Sequence, residues 1–292
     1  MSTGAGSRSP ERQAVADFLA SVATGPAALV LEGEAGIGKT TLWSEAVTSC
    51  AEKGIRVLCA RIGQAESVLA YAAVADLLTD VDPAVIESLP ALQRLAIDRV
   101  LLRADGAGPA TDQRVTAAAF GVIVEELAER TPVVIAIDDV QWLDASSKSV
   151  IAFVARRLRG PIGVLATERC DPDQGTTSLW LQLGVAAATQ RTRLRPLSLG
   201  GLHGLILNRL GHALPRATMV RISEISGGNP FYALELARAL DGQKPSSEPG
   251  LPQTLAELVR ARIGRLDGDV RNLLGSIAMN VDDLLCGMGA SG

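Results

Sequence analysis

The chain has 292 residues, of which 47% are apolar but only 3% are aromatic. This length is enough for one large domain or two smaller ones, and the core must consist mainly of Ala, Val, Leu and Ile. Such a composition favours helices packed on a parallel sheet over a sandwich of aromatic-rich strands. The formal net charge of −4 excludes an overall positive field that would attract nucleic acid or an anionic membrane, although it does not exclude a local basic patch.

The cysteines and histidines offer no ligand set at a plausible spacing for structural zinc. No two cysteines form a C-x-x-C pair, and the only histidines are His203 and His212. We therefore expect reduced, mostly buried thiols, as in a cytosolic protein. The N-terminus lacks the apolar segment of a signal peptide, and no run of about 18 apolar residues could span a membrane. The sequence thus predicts a soluble, cytoplasmic protein.

Hydrophobic patterning in the first half of the chain predicts alternating helices and strands. After a loose segment over 1–9, an amphipathic helix over 10–22 carries Val15, Phe18, Leu19 and Val22 on one face. The following predictions are a strand over Ala27–Leu31, a helix over Lys39–Glu52, a strand over Ile55–Ala60, and mostly helix over 70–130 with breaks at Asp82-Pro83 and Ala104–Thr111.

The second half begins with an apolar run, Val133–Ile137, that has no polar face and therefore fits a central parallel strand covered on both sides. Asp144 can cap the helix after it. Further strands are predicted over Ile162–Ala166 and, at a sheet edge, over Thr192–Leu197, followed from Ser198 by helices alone, with breaks at Gly211 and Ser226-Gly227-Gly228. This alternation indicates an α/β fold with a doubly wound parallel sheet, followed by a helical region.

The segment GEAGIGKT, at 33–40, fits the phosphate-binding pattern G-x-x-x-x-G-K-[ST] at every fixed position. Glycines allow the tight curl that points several backbone N–H groups at a phosphate, and the helix that follows adds its positive end. Lys39 would bind the β and γ phosphates, and Thr40 would bind Mg²⁺. The predicted nucleotide-binding residues are Gly33, Glu34, Ala35, Gly36, Ile37, Gly38, Lys39, Thr40 and Thr41.

The segment VVIAIDD, at 133–139, is an apolar strand that ends in two acids, which is the Walker B pattern. Asp138 would reach Mg²⁺ directly or through a water, and Asp139 is the candidate to polarise the attacking water. Acids after a strand are often merely solvated, so this pattern is weak alone and gains weight from the phosphate-binding loop. Both segments lie at carboxyl ends of strands, where ligands bind in open α/β sheets.

Two further segments have both a local and a functional interpretation. Thr167-Glu168-Arg169 lies just past a predicted strand, where Arg169 could sense the γ-phosphate or could be a solvated loop residue. Asn229 and Pro230 read as the N-cap and first residue of a helix, and a nucleotide contact would be additional to that role.

Over about residues 7–275, the chain resembles the STAND class of AAA-type ATPases, and more closely the N-terminal ATPase region of large LuxR-type (MalT-like) bacterial transcriptional regulators. The segments that carry this resemblance are GEAGIGKTTL, VVIAIDDVQWLDASS, VLATER, GGNPFYALELARAL and LPQTLAELVRARIGRL. The resemblance implies that Arg169 is a sensor residue, that Pro230 lies close to the nucleotide, and that Arg8 and Glu11 belong to an adenine-side motif. Ser7 stands where that motif has glycine.

The resemblance also implies a domain order. It consists of a loose segment over 1–9, the P-loop ATPase domain over 10–198, a helical lid over 199–241, and a linker with an incomplete winged-helix region and irregular tail over 242–292. We expect this chain to be truncated relative to the family, with no direct DNA binding of its own. ATP rather than GTP is implied by the resemblance and not by the P-loop.

Three hypotheses follow for function. The first is a nucleotide-dependent regulatory switch that binds ATP and Mg²⁺, hydrolyses slowly, and associates with itself or with a full-length regulator. The second is a partner-stimulated ATPase of the remodelling or loading type, which Asp139 in place of glutamate slightly disfavours. The third is a truncated regulator that binds nucleotide without catalysis.

Overall fold

The computed structural model describes residues 8–104, 112–170, 181 and 189–241. Three predicted parts lie outside these residues: the loose segment up to Ser7, most of the Ala104–Thr111 loop, and the linker, incomplete winged-helix region and tail over 242–292. Strands run over β1 (Ala27–Gly33), β2 (Arg56–Arg61), β3 (Val133–Asp138), β4 (Ile162–Arg169) and β5 (Thr189–Arg193). Helices run over α1 (Ser9–Val22), α2 (Lys39–Glu52), α3 (Ala72–Leu78), α4 (Pro83–Glu87), α5 (Ala91–Val100), α6 (Gln113–Arg130), α7 (Ala145–Ala155), α8 (Leu199–Leu210), α9 (Arg216–Ser226) and α10 (Pro230–Asp241).

The five strands form one parallel sheet in the order β2-β3-β4-β1-β5. This arrangement confirms the predicted α/β fold with a parallel sheet. Because β4 lies between β1 and β3, the end of β4 separates the loop after β1 from the two acids at the end of β3. The topology therefore brings three carboxyl ends of strands together around one position.

Helices cover both faces of the sheet, and alternate strand residues supply two separate cores. On one face, Leu29, Leu31, Val134, Ala136 and Leu165 pack with α1 and α2. On the other, residues such as Val30, Ile135, Ile137, Val164 and Ala166 pack with α3, α5, α6 and α7. Strand β3 is buried along its whole length, as its apolar run predicts.

The close packing of α1 on β4 requires a glycine. A Cβ atom at Gly163 would lie 2.5 Å from Val22 Cγ2 and 2.8 Å from Phe18 Cζ. Val22 and Phe18 are on the predicted apolar face of α1, and both are buried. The absence of a side chain at Gly163 thus lets that face approach the sheet.

Strand β1 extends two residues beyond its predicted end, to Gly33, β2 lies one residue later than predicted, and β3 includes Asp138. The boundaries of β4 and β5 differ more. Strand β4 continues through Arg169 because β1 pairs with it up to Gly33↔Arg169, so Thr167, Glu168 and Arg169 are strand residues and do not follow the strand. Strand β5 begins three residues earlier than predicted and ends at Arg193, since its pairing with β1 runs from Thr189 to Arg193. In both cases, hydrogen bonding to β1 extends through polar residues that an apolar pattern cannot include.

The chain divides into two compact units, of which one is Ala5–Arg195 and the other begins at Pro196. In the second unit, α8, α9 and α10 share a core that includes Leu202, Ile206, Met219, Ile222 and Leu236. Gly211 and Gly227 end α8 and α9 in left-handed conformations, which confirms the predicted breaks. Asn229 Oδ1 accepts a hydrogen bond from Phe231 N, and Pro230 begins α10, as expected of a cap followed by proline.

In the part of the chain that the structure describes, no helix could span a membrane.

Among the described cysteines, Cys50 is buried, Cys170 is partly buried and Cys59 is exposed, so the expectation of mostly buried thiols is not met. Cys59 is exposed because it lies on β2, which is an edge strand of the sheet. Burial raises the pKa of the Cys50 thiol to about 11.

Candidate nucleotide-binding site

The loop between β1 and α2 is short and depends on glycine. It covers 34–38, and Gly36 and Gly38 have φ values of 75° and 101°, in the left-handed region that side chains disfavour. Gly38 is the N-cap of α2, and no side chain caps this helix. Its first backbone N–H groups therefore point out of the helix toward the loop, as an anion-binding site requires. Thr41 lies in the first turn of α2 and is exposed.

Lys39, the first residue of α2, is 6% exposed. Its Nζ donates hydrogen bonds to the carbonyl oxygens of Gly33 (2.9 Å) and Glu34 (2.8 Å), so the side chain curls back over the loop. Burial lowers the pKa of Lys39, and the charges of Asp139 and Asp138 partly oppose this shift. The positively charged side chain of Lys39 therefore lies against the loop, and the carboxylates of Asp138 and Asp139 are close enough to affect its pKa.

The hydroxyl of Thr40 lies beside the carboxylate of Asp138. Thr40 Oγ1 donates to Asp138 Oδ1 over 3.3 Å, and Asp138 is 5% exposed. Asp138 lies on the α2 face of the sheet because it continues the alternation of Val134 and Ala136. The two residues that the sequence predicts for Mg²⁺ are therefore brought together by strand register.

Asp139, the residue after β3, adopts a left-handed backbone conformation with φ of 57°. Its backbone N–H donates to Thr167 Oγ1 over 2.7 Å, and its Oδ1 accepts from Gln141 Nε2 over 2.8 Å. Gln141 Oε1 accepts in turn from the backbone N–H of Arg169 over 3.2 Å. Asp139 and Arg169, both predicted site residues, are thus linked through one side chain, and the Arg169 side chain is exposed.

Two residues of this arrangement have no assigned role in the sequence predictions. Thr167 is fully buried, and its hydroxyl donates to Asp138 Oδ1 over 2.6 Å while accepting from Asp139. Strand alternation from Leu165 could have placed Thr167 on the α2 face. Gln141 carries no comparable signal, because its position depends on the 3₁₀ turn over Val140–Trp142.

Arg8 lies against the same loop. Its Nη2 donates to the carbonyl oxygen of Ile37, and its Nη1 lies 3.7 Å from Glu11 Oε1. Burial lowers the pKa of Arg8, which the charge of Glu11 partly offsets. Pro230 begins α10 in the second unit, and its contact with a nucleotide stays a prediction.

An ion cluster that the sequence did not predict, made of two buried glutamates and a partly buried arginine, lies on the opposite face of the sheet. Glu32 and Glu168 are paired in register at the ends of β1 and β4, and Arg191 of β5 donates from Nη1 to both carboxylates. Burial alone would lower the pKa of Arg191, but its hydrogen bonds with the two glutamates raise it overall. The cluster ties β5 to β1 and β4 next to Gly33.

Within the described residues, no group of three or more His, Cys, Asp or Glu side chains could hold a metal ion unaided. Mg²⁺ beside a nucleotide is usually held by one or two protein oxygens together with waters and substrate phosphates. The Thr40 hydroxyl and the Asp138 carboxylate supply hard oxygen donors of that kind.

A sequence model of the AAA ATPase domain matches residues 7–166. The chain belongs to the AAA ATPase domain family. The matched range includes Arg8, the whole loop over 33–40, and the acids Asp138 and Asp139. No curated protein sequence matches the chain.

Solved structures show the same fold at low sequence identity. The chain is similar to a STAND protein (Signal Transduction ATPase with Numerous Domains) from Pyrococcus horikoshii that has a tetratricopeptide repeat sensor. The TM-score is 0.53 at 14% identity, and the match covers 92% of this chain and 34% of that one. It is also similar to the ORC1 protein from Aeropyrum pernix, solved in complex with DNA, with a TM-score of 0.52 and 16% identity, covering 93% and 72% of the two chains. The chain therefore spans about a third of the length of the STAND protein.

Proposed function

We propose that this chain binds ATP with Mg²⁺ and acts as a STAND-type, nucleotide-dependent signalling or transcription-regulatory switch with slow hydrolysis. The observation that carries the proposal is the approach of the Thr40 hydroxyl to within 3.3 Å of Asp138 Oδ1, at the start of the helix that follows the glycine loop. A hydroxyl and a buried carboxylate at this position are the protein ligands that Mg²⁺ needs beside a phosphate.

Each residue of the site has a distinct proposed role. The N–H groups of the loop and of the first turn of α2 would bind the phosphates. The Lys39 ammonium group, which donates to two loop carbonyl oxygens in the structure, would turn to the β and γ phosphates. Bound Mg²⁺ would neutralise the charge that develops on the phosphates. Asp139 would orient the attacking water, and Arg169 would contact the γ-phosphate. Arg8 would lie on the adenine side.

The proposed switch requires different affinities of two conformations for ATP and ADP, because a ligand can bias an equilibrium only by differential binding. We propose that α8–α10 form the lid and that Pro230 contacts the nucleotide. The resemblance to MalT-like LuxR regulators supports self-association or association with a full-length relative in the ATP-bound state, with transcription as the output of longer members. The domain boundaries at 198 and 241 belong to the same proposal.

The switch predicts that nucleotide identity controls assembly. We expect the chain with Mg²⁺ and a non-hydrolysable ATP analogue to form a dimer or larger oligomer, and with Mg·ADP to remain monomeric, as measured by light scattering after size exclusion. Lys39→Ala should give the same size with either nucleotide. We expect turnover below about 0.1 s⁻¹, in the range of unassisted P-loop enzymes.

An equal mass with both nucleotides, while both bind, would contradict the switch and leave nucleotide binding intact. Turnover well above this range, or strongly raised by a partner, would instead favour an ATPase of the remodelling or loading type. Binding without any phosphate release would favour the non-catalytic regulator.

A further inference from the structure

Six residues form a continuous chain of hydrogen bonds across the candidate site. It begins at Thr40, passes through Asp138 and Thr167, and reaches Asp139 through the Asp139 backbone N–H. From the Asp139 carboxylate it continues through the side chain of Gln141 to the backbone of Arg169. The start of α2, the end of β3 and the end of β4 are thereby linked by polar contacts alone.

The orientation of the Gln141 amide follows from the chemistry of its two partners. A carboxylate can only accept a hydrogen bond, so Nε2 must face Asp139 Oδ1. A backbone N–H can only donate, so Oε1 must face Arg169 N. Because both hydrogen bonds belong to one planar amide, the direction of the Asp139 carboxylate depends on the position of Arg169, the last residue of β4.

Gln141 is otherwise exposed, and ordering its long side chain has an entropic cost. Its two hydrogen bonds, to the residue after β3 and to the last residue of β4, offset this cost. They are not needed to stabilise the short turn, which the 2.9 Å hydrogen bond from the Trp142 N–H to the Asp139 carbonyl oxygen already closes. Asp139 needs such support, because in its left-handed conformation the chain turns sharply away from β3.

We propose that Gln141 is a positioning residue that aims the Asp139 carboxylate at the attacking water and couples it to the Arg169 end of β4. This inference rests on the proposed function, since it assigns Gln141 to the hydrolytic step of that same site. Gln141 has no role in holding phosphate or Mg²⁺. Its loss should therefore lower turnover and leave Mg·ATP affinity unchanged.

The test uses Gln141→Glu, which keeps the shape and the acceptor for Arg169 but replaces the donor to Asp139 with a second carboxylate. Gln13→Glu is a matched control, because Gln13 Nε2 also donates to an aspartate, Asp17, over 2.8 Å on the exposed face of α1. We expect Gln141→Glu to lower kcat about tenfold or more. Its dissociation constant for Mg·ATP should change by less than about twofold, and Gln13→Glu should resemble the unsubstituted protein.

A double-mutant cycle with Asp139→Asn separates positioning from structure. If Gln141 acts through Asp139, adding Gln141→Glu to Asp139→Asn should cause no further loss of turnover. Losses that multiply, an unchanged kcat in Gln141→Glu, or lost Mg·ATP binding in that variant alone would each overturn the inference and leave the proposed function standing. If the unsubstituted chain binds Mg·ATP without turnover, the hydrolytic role of Asp139 falls together with that of Gln141. Absent binding would refute the proposed function itself.

Discussion

Asp138→Asn is expected to abolish the contribution of Mg²⁺ to ATP binding and to lower turnover at least about 100-fold. The substitution keeps the size of the side chain but removes its negative charge. Asp138 is nearly fully buried, and its Oδ1 accepts from both Thr40 and Thr167, so the substitution removes the negative charge that lies next to the Thr40 hydroxyl. The measurement is the affinity for ATP by calorimetry, with Mg²⁺ and with a chelator.

In the unsubstituted protein, Mg²⁺ should strengthen ATP binding about tenfold or more, whereas in Asp138→Asn the two affinities should coincide. Asp17→Asn is a suitable control, because Asp17 is an exposed acid of α1 outside the site. A variant that keeps the full dependence on Mg²⁺ would show that Asp138 is not a metal ligand, and the proposed role of Thr40 would need a different partner.

Gly163→Ala is expected to lower the free energy of unfolding by about 2 kcal/mol, because the added methyl group overpacks the contact between α1 and β4. The new Cβ would overlap Val22 and Phe18, which are side chains of a tightly packed core and cannot move into solvent. The measurement is urea unfolding followed by circular dichroism.

Gly121→Ala provides the matched control, since a Cβ there would meet only Val154 Cγ2 at an ordinary 3.7 Å. Gly121 lies inside α6, where alanine is favoured over glycine by about 0.5–1 kcal/mol, so this variant should be unchanged or more stable. Equal stability of Gly163→Ala and the unsubstituted protein would contradict the close packing of α1 on the sheet.

Much of the fold follows from the sequence because the central strands β1 and β3 are buried on both faces. These strands read as uninterrupted apolar runs, which predict their positions. The predicted ends of the helix over Lys39–Glu52 are also confirmed. The parts of the strands that the sequence did not predict consist largely of polar residues. Strand β4 continues to Arg169 and β5 begins at Thr189 because backbone pairing with β1, rather than burial of apolar side chains, defines those ends.

The candidate site divides in the same way. The glycine loop and the two acids at the end of β3 predict which residues meet, because parallel strands bring their carboxyl ends together. Gln141 and the Glu32–Arg191–Glu168 cluster could not be predicted, since each depends on side-chain directions across elements that are distant in the sequence. The strand order, with β4 between β1 and β3, was needed to find them.

Calorimetric titration of Mg·ATP into the purified chain and into Lys39→Ala tests nucleotide binding most directly. Lys53→Ala, at the exposed C-terminal end of the same helix, is the control for lost positive charge. We expect binding in about the micromolar range for the unsubstituted protein and Lys53→Ala, and affinity at least about 100-fold weaker for Lys39→Ala. Equal binding by Lys39→Ala, or no binding by the unsubstituted chain, would contradict a functional phosphate-binding loop at 33–40.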